Sequence, residues 1–277
     1  MASLLPLALC LAAAPSAAAR MDADAAAGRP LVAHVHVALA DNAHQGISPV
    51  RPARLGEGRS PRANLYWGAL YGVDRYLPRN GWTRRPTPPG PLPDGVLARA
   101  VFTQGGLRAG RAVTWVVVAD AWAGDRIQDT TAAFLRHAAG LDSVALRVPG
   151  VGPLEAGGQA HVVAYVGHNG LMDFEVPDPD PAPSAPARAA VVLACASQPY
   201  FQARLEALGA QPLLLTTNLM APEAYTLDAA LSAWFGGGAP AQVHEAAAAA
   251  YARYQRRLSL PRARRLFATV PRPGPDR

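Results

Sequence analysis

Apolar residues along this chain fall in short runs separated by polar, glycine-rich and proline-rich stretches, and the period within each run predicts its element. LVAHVHVALA (31–40) reads as a buried strand that stops at Asp41-Asn42, after which a long glycine- and proline-punctuated loop continues to Arg62. NLYWGALYGVDRYL (64–77) sets Leu65, Ala69, Leu70, Val73 and Leu77 at helical spacing and predicts the first helix. Residues 78–95 hold a dense group of prolines and predict a surface loop. VLARAVFTQ (96–104) predicts a strand paired through Gly105-Gly106 with AVTWVVVADAW (112–122), the clearest central strand of the chain. A helix over 125–140 follows, closed by Gly140.

In the second half, 143–149 is a weak strand, while AHVVAYVGHNG (160–170) and AAVVLACAS (189–197) are the short apolar runs that a doubly covered parallel sheet demands. Ser197 is placed to cap a helix over 198–208, and 211–217 is a further buried strand. Helices are predicted over 221–235, with Pro222 in the first turn, and over 242–258. Strands thus alternate with helices, which predicts an α/β three-layer sandwich with a mainly parallel central sheet. Ligands of such a sheet bind beyond the carboxyl ends of its strands. The proline-rich stretch 177–187 lies between two strands predicted to be neighbours and reads as a mobile lid.

With 277 residues, half of them apolar, the chain can bury one full core, and it contains no internal repeat and no domain linker. Residues 1–19 run apolar and then small, with Ala17 and Ala19 in A-x-A spacing, and predict a signal peptide. A disordered leader (20–30), one α/β domain (31–260) and a disordered tail (261–277) complete the expected organisation, in a protein exported to the periplasm or secreted. No later apolar run reaches the roughly 20 residues of a membrane span, so no membrane insertion is expected. The net charge of +6 is carried by arginine alone, since there is no lysine. Arginines cluster at Arg253, Arg256, Arg257, Arg262, Arg264 and Arg265, but without an aromatic-interleaved groove or nucleic-acid motif. The cluster reads as a solvated helix face, and no nucleic-acid partner is expected. Cys10 leaves with the signal, so Cys195 has no partner for an intramolecular disulfide.

Two strand ends share one design. Apolar VVAYVG runs into His168-Asn169-Gly170, and apolar AAVVLA runs into Cys195-Ala196-Ser197. In a parallel sheet both tips emerge on the same edge, so residues remote in the chain become neighbours. A thiol reacts as its thiolate, and an adjacent imidazole that takes the proton makes it a good nucleophile. Backbone amides near Gly170 and at Cys195 are the candidate donors to an oxyanion.

This pattern resembles the signature of the caspase, legumain, gingipain and clostripain superfamily of cysteine peptidases. The resemblance implies a caspase-like fold, carried in outline by the order of elements from residue 31 to 235. It also implies His168 as general base and acid, Cys195 as acylated nucleophile, and a peptide or protein substrate. Two features depart from the superfamily: Asn169 stands where a glycine is usual, and a proline-rich loop replaces the helix between the His and Cys strands.

Asp41, Asn42, His44 and Gln45 follow the carboxyl end of the first strand, so they are expected over the same edge as the dyad and predict a substrate pocket. Asn64, Tyr66 and Trp67 supply a polar and aromatic wall, and Asn218 follows another strand end. The competing reading of these residues is turn closure, which Asn and Asp perform commonly. His34 and His36 form an H-x-H that with His44 would suggest a metal centre. His137, His161 and His244 stand in unsuitable contexts to complete it, and no metal is expected. No G-x-S-x-G elbow, phosphate-binding loop or dinucleotide fingerprint is present, and no cofactor is expected. The leading expectation is an exported cysteine hydrolase. The alternatives are a non-catalytic exported binding or scaffold protein of the same fold and, more distantly, a metal-dependent hydrolase.

Overall fold

The first apolar run becomes β1 (Leu31–Ala38), buried along its whole length because strands pair with it on both sides. The computed structural model describes residues 15–268. Side chains of β1 alternate: Leu31, Ala33, Val35 and Val37 join one apolar layer, while His36 turns to the opposite face, against Phe134. The sheet also contains β2 (Thr83–Arg85), β3 (Val96–Arg108) and β4 (Arg111–Trp122). A separate hairpin joins β5 (Ser143–Val148) to β6 (Gly152–Gly157). Next come β7 (Val162–Val166), β8 (Arg188–Leu193), β9 (Ala210–Thr216) and β10 (Phe267–Ala268).

The eight-stranded order is β10-β9-β8-β7-β1-β4-β3-β2. Strands β4, β1, β7, β8 and β9 run parallel, and the antiparallel pairings are confined to the two flanks. One face is covered by α1 (Ala17–Ala26), the single turn α2 (Val73–Tyr76), α5 (Ala224–Phe235), α6 (Pro240–Tyr254) and α7 (Leu260–Leu266). The other is covered by α3 (Ile127–Ala138) and α4 (Ser197–Ala207). This is the expected α/β three-layer sandwich.

Several local expectations are corrected. The predicted helix over 64–77 is turns as far as Gly72, because the backbone folds back on itself at two glycines. A Cβ at Gly68 would stand 2.2 Å from the Arg62 carbonyl oxygen, and one at Gly72 would stand 2.4 Å from Trp67 backbone. Gly105-Gly106 is not the hairpin turn: both lie inside β3, where the Trp115 ring fills the space that a Cβ on Gly106 would need. The chain reverses instead at Ala109 and Gly110, both at positive φ. The proline-rich 177–187 is the crossover to the start of β8; its Ala182 amide donates to Ala139 at the end of α3, away from the strand tips. Among the described residues no helix is long and apolar enough to cross a membrane.

The expected disordered leader is also ordered. Ser16 Oγ accepts from the Ala19 amide and starts α1, whose Met21 is fully buried. The Arg20 guanidinium donates to the carbonyls of Gln159, Ala160 and Ala187, at 2.6, 3.0 and 2.9 Å. Asp22 pairs with Arg108, and Asp24 with His161. A cut after Ala19 would fall inside α1, whereas one that leaves the helix whole falls before Ser16. Residues 1–14 of the predicted signal peptide lie outside the described residues. Of the predicted tail, Leu266 and Phe267 are buried, and residues 269–277 lie outside the described residues. Replacing Met21 by Ala should therefore lower the unfolding free energy by about 2–5 kcal/mol in urea denaturation. An unchanged midpoint would mean that α1 is a dispensable leader.

Candidate active site

β7 and β8 pair in parallel with Val166 opposite Leu193, and His168 and Cys195 each lie two residues beyond those ends. The Gly167 amide donates to the Leu193 carbonyl at 3.2 Å, so pairing continues to the residue before His168. Gly167 adopts φ 152°, and a Cβ there would come within 2.8 Å of Ala38 on β1. Only glycine lets the tip of β7 pass that close. Beyond it the fully buried Tyr165 hydroxyl donates to the His168 carbonyl at 2.7 Å, and His168 Nε2 meets Asp173 Oδ2 at 2.6 Å. The imidazole is thus oriented by a carboxylate five residues on, leaving Nδ1 for another partner. Asp173 lies in an irregular segment with no periodic signal, which is why pattern reading missed it.

Cys195 stands at a sharp strand-to-helix turn. Ala196 is left-handed, at φ 44° and ψ 45°, and donates its amide to the Asn218 carbonyl at 2.9 Å. Ser197 is not the predicted cap of α4. Its hydroxyl turns inward to the Val192 carbonyl and to Thr216, whose own hydroxyl bonds the Ala194 carbonyl. Asn169, fully buried, donates its side-chain amide to the Cys195 carbonyl at 2.9 Å and so ties one strand tip to the other. The sulfur faces Met220, donating to its carbonyl at 3.6 Å and receiving its amide at 3.5 Å. Among the described residues no hydrogen bond joins this sulfur to His168, and neither the Cys195 nor the Gly170 amide donates one. Both predicted oxyanion donors are therefore unspent. Burial holds the Tyr66 hydroxyl well above its ordinary pKa, with the neighbouring Cys195 the next contributor.

The other predicted pocket residues are largely consumed by their own loops. Asn64 is fully buried and bonds the Ala40 amide and carbonyl, the Glu57 carbonyl and the Tyr66 amide, leaving no surface for a substrate. Gln45 receives the Asp41 amide and donates to Leu39 and Gly124. Asp41 closes a turn on the amides of Ala43 and His44. Asn42 brackets Val50 through both its amide and its carbonyl. Trp67 is core. His44 and Asn218 remain exposed, and next to this loop a Cβ on Gly46 would stand 3.3 Å from Asp173. The 41–46 loop thus approaches Asp173 through its backbone at Gly46.

The histidines form an unexpected cluster. His44 pairs with Asp41, whereas His137, read as unsuitable, joins His34 and His36 with ring nitrogens within 4.8 Å of one another. Three free ligand nitrogens are not available there. His34 is held on both sides, by Asp120 and by the Gly157 amide, and His36 Nε2 bonds His137 Nδ1. Arg99 completes the chain by gripping both oxygens of Asp120. Burial depresses His137 to about 3, and burial with nearby Arg20 depresses His161 to about 4. An unfolded histidine titrates near 6.5, so the unfolded chain binds more protons between about 6.5 and 4. Stability conferred by these neutral imidazoles is complete above about 6.5 and lost as pH falls toward 4. The thermal midpoint should hold steady from pH 8 to 7 and drop steeply from 6 to 4.5. A flat profile across that range would contradict their buried neutral state.

No family model, curated protein or solved structure matches the chain.

Proposed function

We propose that the chain is an exported cysteine hydrolase of peptide bonds, with Cys195 as nucleophile and His168 as general base and acid. The observation that carries this is the pairing of β7 with β8, which sets a thiol and a carboxylate-oriented imidazole at equal heights on one edge of the sheet. The parallel order β4-β1-β7-β8-β9, closed by antiparallel β10, supports a caspase-like arrangement. In the reaction, His168 takes the thiol proton and the sulfur attacks the scissile carbonyl carbon. The tetrahedral oxyanion meets the free amides of Cys195 and Gly170, and the imidazolium protonates the departing amine as the C–N bond breaks. Water, deprotonated by the same imidazole, then hydrolyses the thioester. For the first step the sulfur must turn from Met220 toward His168, a rotation about one side-chain bond.

The sulfur's seat on Met220 favours a second reading, an exported binding or scaffold protein that keeps the fold without the reaction. Iodoacetamide at mildly acidic pH separates the two: an activated Cys195 alkylates in the folded protein, and an inert one reacts only on unfolding.

Cys195→Ala should abolish cleavage of a mixed peptide library that the gently reduced wild type digests, and equal digestion by both would remove Cys195 from the mechanism. Asp173→Asn should lower kcat by about tenfold or more while leaving KM nearly unchanged, because it disturbs only the imidazole's orientation and protonation. A rise in KM at constant kcat would reassign Asp173 to substrate binding.

A further inference from the structure

The chemistry above leaves the C-terminal arginines unused, although they are the densest charge in the molecule. Arg256, Arg257, Arg262 and Arg265 line one cavity of about 780 Å³ between the end of α6, the start of α7 and the loop after β9. None of the four forms an ion pair among the described residues. Their neighbour Arg264, by contrast, is held by both oxygens of Glu245, at 2.8 and 2.6 Å. Four like charges around one hollow oppose one another and raise the local positive potential, and an anionic ligand is the group that relieves it. The same cavity is lined by Leu219, Leu258, Tyr251 and Tyr254. Apolar and aromatic walls among guanidinium groups suit a peptide better than a bare anion, since side chains find contact area while carboxylates find paired charge.

The cavity also adjoins the nucleophile. Thr217, Asn218 and Leu219 form part of its wall, and the next residue, Met220, is the one that seats the Cys195 sulfur. Tyr251 lines it as well and accepts the Ala221 amide at 2.9 Å, fixing the far end of the same loop. One short loop therefore has the sulfur on its inner side and the arginine-lined hollow on its outer side.

We propose that this cavity is a subsite for an acidic segment of a peptide substrate; the word substrate rests on the hydrolase reading above, while the binding itself does not. The full chain carrying Cys195→Ala can be titrated against fluorescein-labelled hexaglutamate and hexaglutamine by anisotropy. Hexaglutamate should bind, hexaglutamine should not, and affinity should fall as salt is raised. Adding Arg262→Glu and Arg265→Glu should weaken hexaglutamate binding by about tenfold or more at an unchanged thermal midpoint. Should that pair unfold, Arg262→Gln with Arg265→Gln removes the charge without reversing it and should weaken binding in the same direction. Equal binding of the two peptides, or indifference to both pairs of substitutions, overturns the proposal. So does preferential binding of a short labelled DNA strand, which would make the hollow a nucleic-acid contact. Hexaglutamate binding beside an inactive wild type upholds the anionic site and removes the hydrolase reading instead. A wild type that cleaves acidic and neutral peptides equally well removes the subsite alone.

Discussion

The constraint on which the edge chemistry depends is the parallel ladder between β7 and β8. Five paired positions, from Val162 opposite Ala189 to Val166 opposite Leu193, fix the relative height of two loops that are far apart along the chain. A slip of one residue would turn every side chain of one strand to the other face. Both strands are fully buried, so such a slip would bring each strand's inward set against the wrong helical layer. The apolar layers on the two faces thus act as the register's guarantee, and the register in turn brings the His168 and Cys195 positions to matching heights.

Above the ladder, the edge is held by polar side chains bonding to backbone. Ser197 and Thr216 exchange hydrogen bonds with each other and with the last residues of β8, and Asn169 grips the Cys195 carbonyl. These contacts hold Ala196 in a left-handed conformation that a residue bearing Cβ adopts at a cost. On the opposite side of β7, Asn64 and Gln45 saturate the backbone that leaves β1. A site assembled from loops gains geometric precision when its supporting shell is locked in this way. Side chains that look functional in a list of polar residues near strand ends are here the fasteners of that shell.

The fold class was legible because buried parallel strands write themselves as short apolar runs, and the strand tips that carry His168 and Cys195 could be read from where those runs end. Less legible were features that depend on contacts distant in sequence. Residues 64–72 carry helical spacing, yet the close backbone approaches at Gly68 and Gly72 override it. The stretch 17–26 spans the predicted end of the signal peptide and start of the leader, but Arg20, Asp22 and Asp24 each find a partner more than eighty residues away. His137 gave no hint of joining His34 and His36, since a helix packed across the sheet is what brings them together. Asp173 was invisible for the same reason: its role is defined by one 2.6 Å contact and not by any period.

At the tip of β7, Asn169 and Gly170 differ in what their positions allow. The φ of Asn169, −79°, is ordinary for any residue, so the backbone at that position does not require glycine. The crowded position is Gly170, one residue along. A Cβ on Gly170 would stand 2.3 Å from the Phe174 ring, so a side chain there would have to push that ring aside. Asn169 itself has room for its side chain, and an amide of that length reaches the Cys195 carbonyl. That bond cross-links the two strand tips that carry His168 and Cys195. The Oδ1 of Asn169 meanwhile has no partner among the described residues, an uncompensated cost for a buried carbonyl. That cost is tolerated because the donor half of the same amide fixes the position of the residue that carries the sulfur.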